Sequence, residues 1–191
     1  MIPIMLATLL TYDFQTYPTE GIGGGTGIVR VEFLGAAADG GQRIRATDQW
    51  YTPIAQRTIP HAPVECEIYA NGTVICPGRI SGPQKVLLPL LASSFATALR
   101  AGAVRYEIQY PRGVGRTYAV RLDGKPQIVD HLLRVSFQGS SMGGAASTRD
   151  RFTGSISYDP NGLPEIVELT AHEWPYDAAN YSQTKLRLVH Q

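Results

Sequence analysis

Apolar and polar residues alternate with a period of two over most of this chain, and glycine, proline and asparagine cut the alternations into short runs. A period of two belongs to the β-strand, whose successive side chains point to opposite faces. In residues 27–34, Val29, Val31 and Phe33 fall on one side, with Arg30 and Glu32 on the other. After a turn at Asp39-Gly40-Gly41, residues 43–51 alternate back, placing Ile44, Ala46 and Trp50 opposite Arg43, Arg45 and Gln49. One apolar face and one wet face is the mark of an antiparallel sheet. Further strands are expected at 11–17, 104–110, 116–122, 129–137, 151–158, 165–174 and 182–190, with turns at Asp123-Gly124 and at Asp159-Pro160-Asn161-Gly162. Residues 52–63 hold three prolines and read as a loop.

A helix is expected at about residues 89–100. Pro89 suits a first turn, Arg100 favours the negative end of the helix dipole, and Gly102 can cap the end. Leu91, Phe95, Ala98 and Leu99 form an apolar stripe at helical spacing. Strand after strand with one helix and short connections gives a mainly β fold. The expectation is a curved antiparallel sheet, or a partly open barrel, with the helix packed on it. The 191 residues fit a single domain, 1–191.

Composition narrows the partners. Lys+Arg 17 against Asp+Glu 16 leaves a net charge of +1, and the arginines are scattered singly, which argues against a nucleic-acid binder. Residues 1–10 are apolar but too short to span a bilayer. Two readings fit them: the remnant of a secretory signal, or an edge segment leading into the first strand. A signal would normally carry a Lys/Arg start and an Ala-x-Ala site, and neither is present; the first positive charge is Arg30.

Cys66 and Cys76 flank Asn71-Gly72, a strong hairpin signal. A two-residue loop pairs Ala70 with Thr73 and offsets the sulfurs. A three-residue loop, with Gly72 left-handed, pairs Tyr69 with Thr73 and sets the cysteines directly opposite one another. Ile68 then faces Val74, which keeps an apolar face consistent. The opposed register predicts a Cys66–Cys76 disulfide and with it an oxidising compartment, so the protein is expected to be exported. The alternative is a pair of small buried thiols.

Gly139-x-Ser141-x-Gly143 matches the nucleophile elbow of serine hydrolases. If that match holds, the catalytic set would be Ser141, His172 and Asp159, with Asp159 and His190 or Asp177 and His190 also in the right chain order. It predicts ester turnover that disappears in Ser141→Ala. An elbow needs a helix after the serine, yet the residues following Gly144 soon return to a strand pattern. Residues 139–144 therefore read as a glycine-rich loop between two strands, and an enzyme is the less favoured reading. Gly21 to Gly27 cannot hold a G-x-G-x-x-G phosphate loop. Two cysteines cannot make a zinc site alone, and the four histidines lack ligand spacing. No metal or cofactor is expected.

Residues 64–102 resemble part of the C-terminal domain of TonB-type energy transducers. The matching pieces are Val64-x-Cys66-x-Ile68, Gly72-x-Val74, the helix ending at Arg100, and the strand after it. That resemblance implies a periplasmic interaction module with an exposed strand edge. By architecture the whole chain also looks like exported half-barrel proteins that carry lipids or other apolar ligands. This resemblance implies a cavity between helix and sheet, for which His131, Leu133, Phe137, Tyr118 and Phe95 are candidate lining residues. The leading expectation is thus an exported, non-enzymatic protein binding an apolar small molecule, a lipid or a protein partner, with no transmembrane segment.

Overall fold

The structure, a computed structural model, describes residues 9–18, 24–54, 56–70, 72–78, 80–102, 105–109, 117–142, 151–172 and 181–189. Six strands come first: β1 (Leu9–Pro18), β2 (Gly25–Ala36), β3 (Gln42–Thr52), β4 (Arg57–Pro60), β5 (Val64–Ile68) and β6 (Val74–Ile75). A helical segment follows, made of α1 (Gly82–Leu87), a 3₁₀ turn (Leu88–Leu91) and α2 (Ser93–Arg100). Then come β7 (Arg105–Gln109), β8 (Thr117–Val129), β9 (Leu132–Met142), β10 (Arg151–Tyr158), β11 (Pro164–His172) and β12 (Tyr181–Leu188).

The strands form one antiparallel sheet that does not close. Its order is β6-β5-β3-β2-β1-β12-β11-β10-β9-β8-β7, with β4 pairing off the end of β3. The fold is therefore mainly β, as the alternation predicts. β1 lies between β2 and β12; at its start Leu9 and Leu10 pair with Glu32 and Val31 of β2, and pairing with β12 begins at Tyr12. Residues 1–8 lie outside the described residues. The expected loop at 52–63 contains β4, which pairs with β3 from Gln49↔Pro60 to Thr52↔Arg57.

Among the described side chains, one face of the sheet is buried from β6 through to β9. Inward residues meet in register: Cys66 pairs with Ile44, Ala46 with Val31, Val29 with Tyr12, and Tyr12 with Leu188. Further along, Leu186 pairs with Val167, Val167 with Ile156, and Ile156 with Val135. All of these residues are buried. Each fully buried aliphatic side chain is worth about 1.5–3 kcal/mol, so this face dominates the stability. The opposite face is wet. There Arg45 bridges Glu32 (3.1 Å) and Glu65 (2.9 Å) across three strands, and Lys185 pairs with Glu168 at 3.2 Å.

The helical segment divides differently from the expected single helix at 89–100. Ser81 starts α1 through a reciprocal cap: its hydroxyl accepts from the Gln84 amide, and the Gln84 carbonyl oxygen of the side chain accepts from the Ser81 amide at 2.9 Å. Pro89 lacks the amide needed to continue an α-helix, and the chain tightens into the 3₁₀ turn. Ala92 is extended, and α2 begins after it. The end is as expected: Arg100 closes α2 and Gly102 is left-handed (φ +76°). The segment packs on the buried face, with α1 against β12 and the 3₁₀ turn against β5. Leu87, Leu88, Leu90, Leu91, Ala96 and Leu99 join the same core as the sheet. Arg100 donates to the Pro160 carbonyl (2.9 Å), which ties α2 to the turn between β10 and β11.

Two further expectations are corrected. Asp123-Gly124 does not turn the chain: β8 runs through it with an irregularity between Asp123 and Gln127, and the hairpin turns at Asp130-His131. Both turn residues are left-handed (φ 49° and 66°), the backbone of a two-residue hairpin loop more often occupied by asparagine and glycine. Residues 139–142 belong to β9: Gly139 and Ser140 pair with both β8 and β10, and Ser141 and Met142 pair with β8, so they are ladder and not loop. Gly143 and Gly144 lie outside the described residues.

Candidate functional site

The cysteine hairpin adopts the three-residue-loop register. Glu67 pairs with Ile75 and Ile68 with Val74, the Tyr69 amide donates to the Thr73 carbonyl, and Gly72 is left-handed (φ +83°). Cys66 and Cys76 are disulfide-bonded, with Cα atoms 4.4 Å apart. Both are buried on the inner face.

Ser141, His172 and Asp159 are not brought together. Ser141 sits within the β9 ladder opposite Tyr118, in an antiparallel sheet and not at a strand-to-helix turn. His172 ends β11 opposite Arg151, which pairs with Ser140 on its other side. Asp159 follows the far end of β10, eight residues from Arg151, and at the strand rise of about 3.3 Å per residue that is roughly 26 Å away. Its carboxylate instead accepts from the Leu163 amide (2.7 Å) and from the Asn161 side chain (3.2 Å), closing the β10–β11 turn. The charge-relay arrangement needs hydrogen-bond contact between neighbours, and these three positions cannot supply it.

The candidate lining residues fare unequally. Phe137 is buried in the core and Leu133 packs against it, both on the inner face of β9. His131 is displaced from that face. The hairpin turns at Asp130-His131, inside the stretch 129–137 expected to be strand, and His131 sits exposed at its tip. Tyr118 is placed in β8 by its backbone and Phe95 in α2; their side chains lie outside the described residues.

A polar cluster is built on β3. Asp48 is an inward residue, and its side chain is completely buried. It accepts hydrogen bonds from Trp50 Nε1 (2.6 Å) and from His61 Nδ1 (2.9 Å), while the His61 amide donates to the Asp48 carbonyl (3.0 Å). A buried carboxylate is stable only when its lone pairs are met in this way. The Trp50 ring stacks at a tilt on Phe14 (4.9 Å) and meets His61 edge-on (6.3 Å). Phe14 in turn lies over Gly27. The cluster therefore straps the segment after β4 to the sheet. An imidazole held by a carboxylate can also serve as an oriented base, but among the described residues the His61 ring bonds Asp48 and packs on Trp50, with no nucleophile attached.

Two open grooves flank the wet face. One, of about 790 Å³, runs over β2, β1, β12 and β11 and includes Asp13, Gln15, Ile28, Glu168, Lys185 and Arg187. The other, of about 670 Å³, lies beside the disulfide and includes Arg43, Glu65, Glu67 and Ile75. Both have mixed linings: the first also includes the core residues Phe14 and Leu186, and the second includes Cys66 and Cys76.

The hairpin and the strand expected from the TonB-like pattern occupy opposite ends of the sheet: β6 and β5 close one edge, and β7 closes the other. They do not form one compact unit. No helix among the described residues is long and apolar enough to cross a membrane. No family model and no curated protein matches the chain. A solved structure from Bacteroides fragilis, described as an exported protein with a YmcC-like fold, is 13% identical over 94% of this chain and 92% of its own, with a TM-score of 0.35. A likeness at that level carries no argument about function.

Proposed function

We propose that this is an exported, non-catalytic protein that holds an apolar ligand, such as a lipid, between the inner face of its sheet and the helical segment. One observation carries the reading: a single apolar face runs in register from β6 to β9, and its cover is a helical segment broken into three short pieces. The breaks at Pro89 and Ala92 let the pieces shift against the sheet without disturbing any strand ladder. The leucines and alanines of the cover present an interchangeable apolar surface, so a hydrocarbon chain can replace their contacts with little loss. Export is supported by the disulfide, a bond that persists in oxidising compartments.

Titration of the purified protein with an environment-sensitive fatty-acid probe tests the reading. Saturable blue-shifted emission, displaced by unlabelled fatty acid or phospholipid, is expected. Absence of any saturable signal would overturn it.

A protein partner is the second reading, and it rests on the sheet being open. Among the described residues β6 and β7 each have a neighbour on one side only, so either edge can accept an added strand. That reading expects the β7 amides to become protected from hydrogen exchange in a complex.

A further inference from the structure

Ile128 of β8 sits directly across from Leu133 of β9. Residues opposed in this way share a face. Leu133 packs against the core, whereas Ile128 is 80% exposed. The apolar face thus continues past the core and emerges into solvent at this hairpin. On the other face of the hairpin the next rung, Val129 opposite Leu132, is also aliphatic, and Val129 is 39% exposed, so aliphatic groups stand on both sides of the tip. β10 stops pairing with β9 at Leu133, and β7 stops pairing with β8 at Arg121. Among the described residues the hairpin end therefore projects with no outer strand beside it.

Asp130 and His131 both hold left-handed backbone that favours glycine. The charged residues between 125 and 134 are Lys125, Asp130 and Arg134, all exposed, with His131 beside them. The balance is cationic, and the two long side chains flank the aliphatic rungs. Such an arrangement suits a boundary where hydrocarbon lies below a layer of negative charge: the aliphatic groups enter, and the cationic heads stay among the headgroups.

We infer that the end of the β8–β9 hairpin is a membrane-contact surface that seats Ile128 and Val129 among anionic lipid headgroups. This deepens the reading above by naming the surface at which the apolar ligand is exchanged, and it rests on that reading only for the exchange. Two aliphatic side chains and two cations give weak, reversible contact.

Flotation of the full chain with mixed phosphatidylcholine–phosphatidylglycerol vesicles, against pure phosphatidylcholine, tests the inference. The protein is expected to float with the mixed vesicles and much less with the neutral ones. Ile128→Asp, and separately Val129→Asp, should reduce binding about tenfold, the order expected for replacing an inserted aliphatic group by a charge. Lys125→Glu combined with Arg134→Glu should abolish the preference for anionic lipid. Because Ile128 is so exposed, its variant should melt as the parent does, which keeps loss of binding separate from loss of fold. No flotation of the parent, or flotation unchanged in both aspartate variants, would overturn the inference. Self-association of the parent that Ile128→Asp abolishes, without vesicle binding, would overturn it in favour of a second copy of the chain. Vesicle binding without fatty-acid binding would leave this surface standing and sink the carrier reading; the opposite result would do the reverse.

Discussion

Phe14 lies directly opposite Gly27 across the β1–β2 ladder, and its ring occupies the space that a side chain at Gly27 would need. A Cβ there would stand 2.6 Å from the Phe14 ring and would also collide with the carbonyl oxygen of Gln49. The same device recurs on the other half of the sheet. Phe137 lies opposite Gly154, where a Cβ would stand 2.8 Å from the ring and collide with the carbonyl of Glu168. In both cases an aromatic ring covers a strand glycine and restores the packing that the missing side chain would leave open.

Gly27→Ala and Gly154→Ala are therefore expected to destabilise the fold by about 2–3 kcal/mol each, because the colliding neighbours include backbone that cannot move aside. Urea denaturation followed by tryptophan fluorescence measures this. A change within a few tenths of a kcal/mol would contradict the close approach. The two sites are on different strand pairs, so their costs should add.

These pairings mark the limit of what the sequence discloses. A ring over a glycine depends on which strands become neighbours and in which register, and neither is local. The cysteine hairpin was legible because its information is local: an Asn-Gly turn, a cysteine on each side, and two registers of which only one gives a consistent face. The β8–β9 turn was misplaced for the same reason. Asp123-Gly124 is the stronger local turn signal, but the ladder from Gln127 to Val129 continues opposite Leu132 to Arg134 and carries the chain on to Asp130-His131. Asp48 did leave a signal, since it falls in the inward phase with Ile44, Ala46 and Trp50; a carboxylate at such a position announces a buried polar partner. Its partner His61 lies across a proline-rich segment, and nothing local points to it.

Asp48→Ala should cost about 2–4 kcal/mol, more than a single neutral hydrogen bond, because it removes the charged acceptor of both the Trp50 indole (2.6 Å) and His61 (2.9 Å). Trp50 emission should shift as the variant relaxes. His61→Ala should cost less, since the imidazole is half exposed and the indole bond survives. Equal costs for the two variants would contradict this division.

The disulfide closes a short loop, with a sequence separation of 10. Constraint of the unfolded chain over that length is worth about 2–3 kcal/mol, so Cys66→Ser with Cys76→Ser should lower the denaturation midpoint accordingly. Alkylation of the denatured, non-reduced parent should add no thiol adduct. Two adducts by intact mass would contradict the bond.

Asp39 should titrate below the ordinary aspartate value of 3.8. The Tyr69 hydroxyl donates to it at 2.7 Å and is the main cause, with the amides of Asp39 and Gly41 assisting; the same hydroxyl also lies 2.8 Å from Glu67. A folded-state value lowered in this way favours the fold above the unfolded value, and the contribution is lost as pH falls through the folded one. Asp39 is fully exposed, so the readout is the titration itself. Carboxyl NMR should show its midpoint rising toward 3.8 in Tyr69→Phe. An unchanged midpoint would show that the hydroxyl is not the cause.

The carrier reading is tested most directly by mass spectrometry of an organic extract from protein purified in its native, oxidised state. The expected result is an apolar molecule recovered in near-stoichiometric amount and absent from an extract of the denatured, washed protein. Repeated extracts holding no such molecule, from protein that also fails to take up added lipid, would contradict the reading.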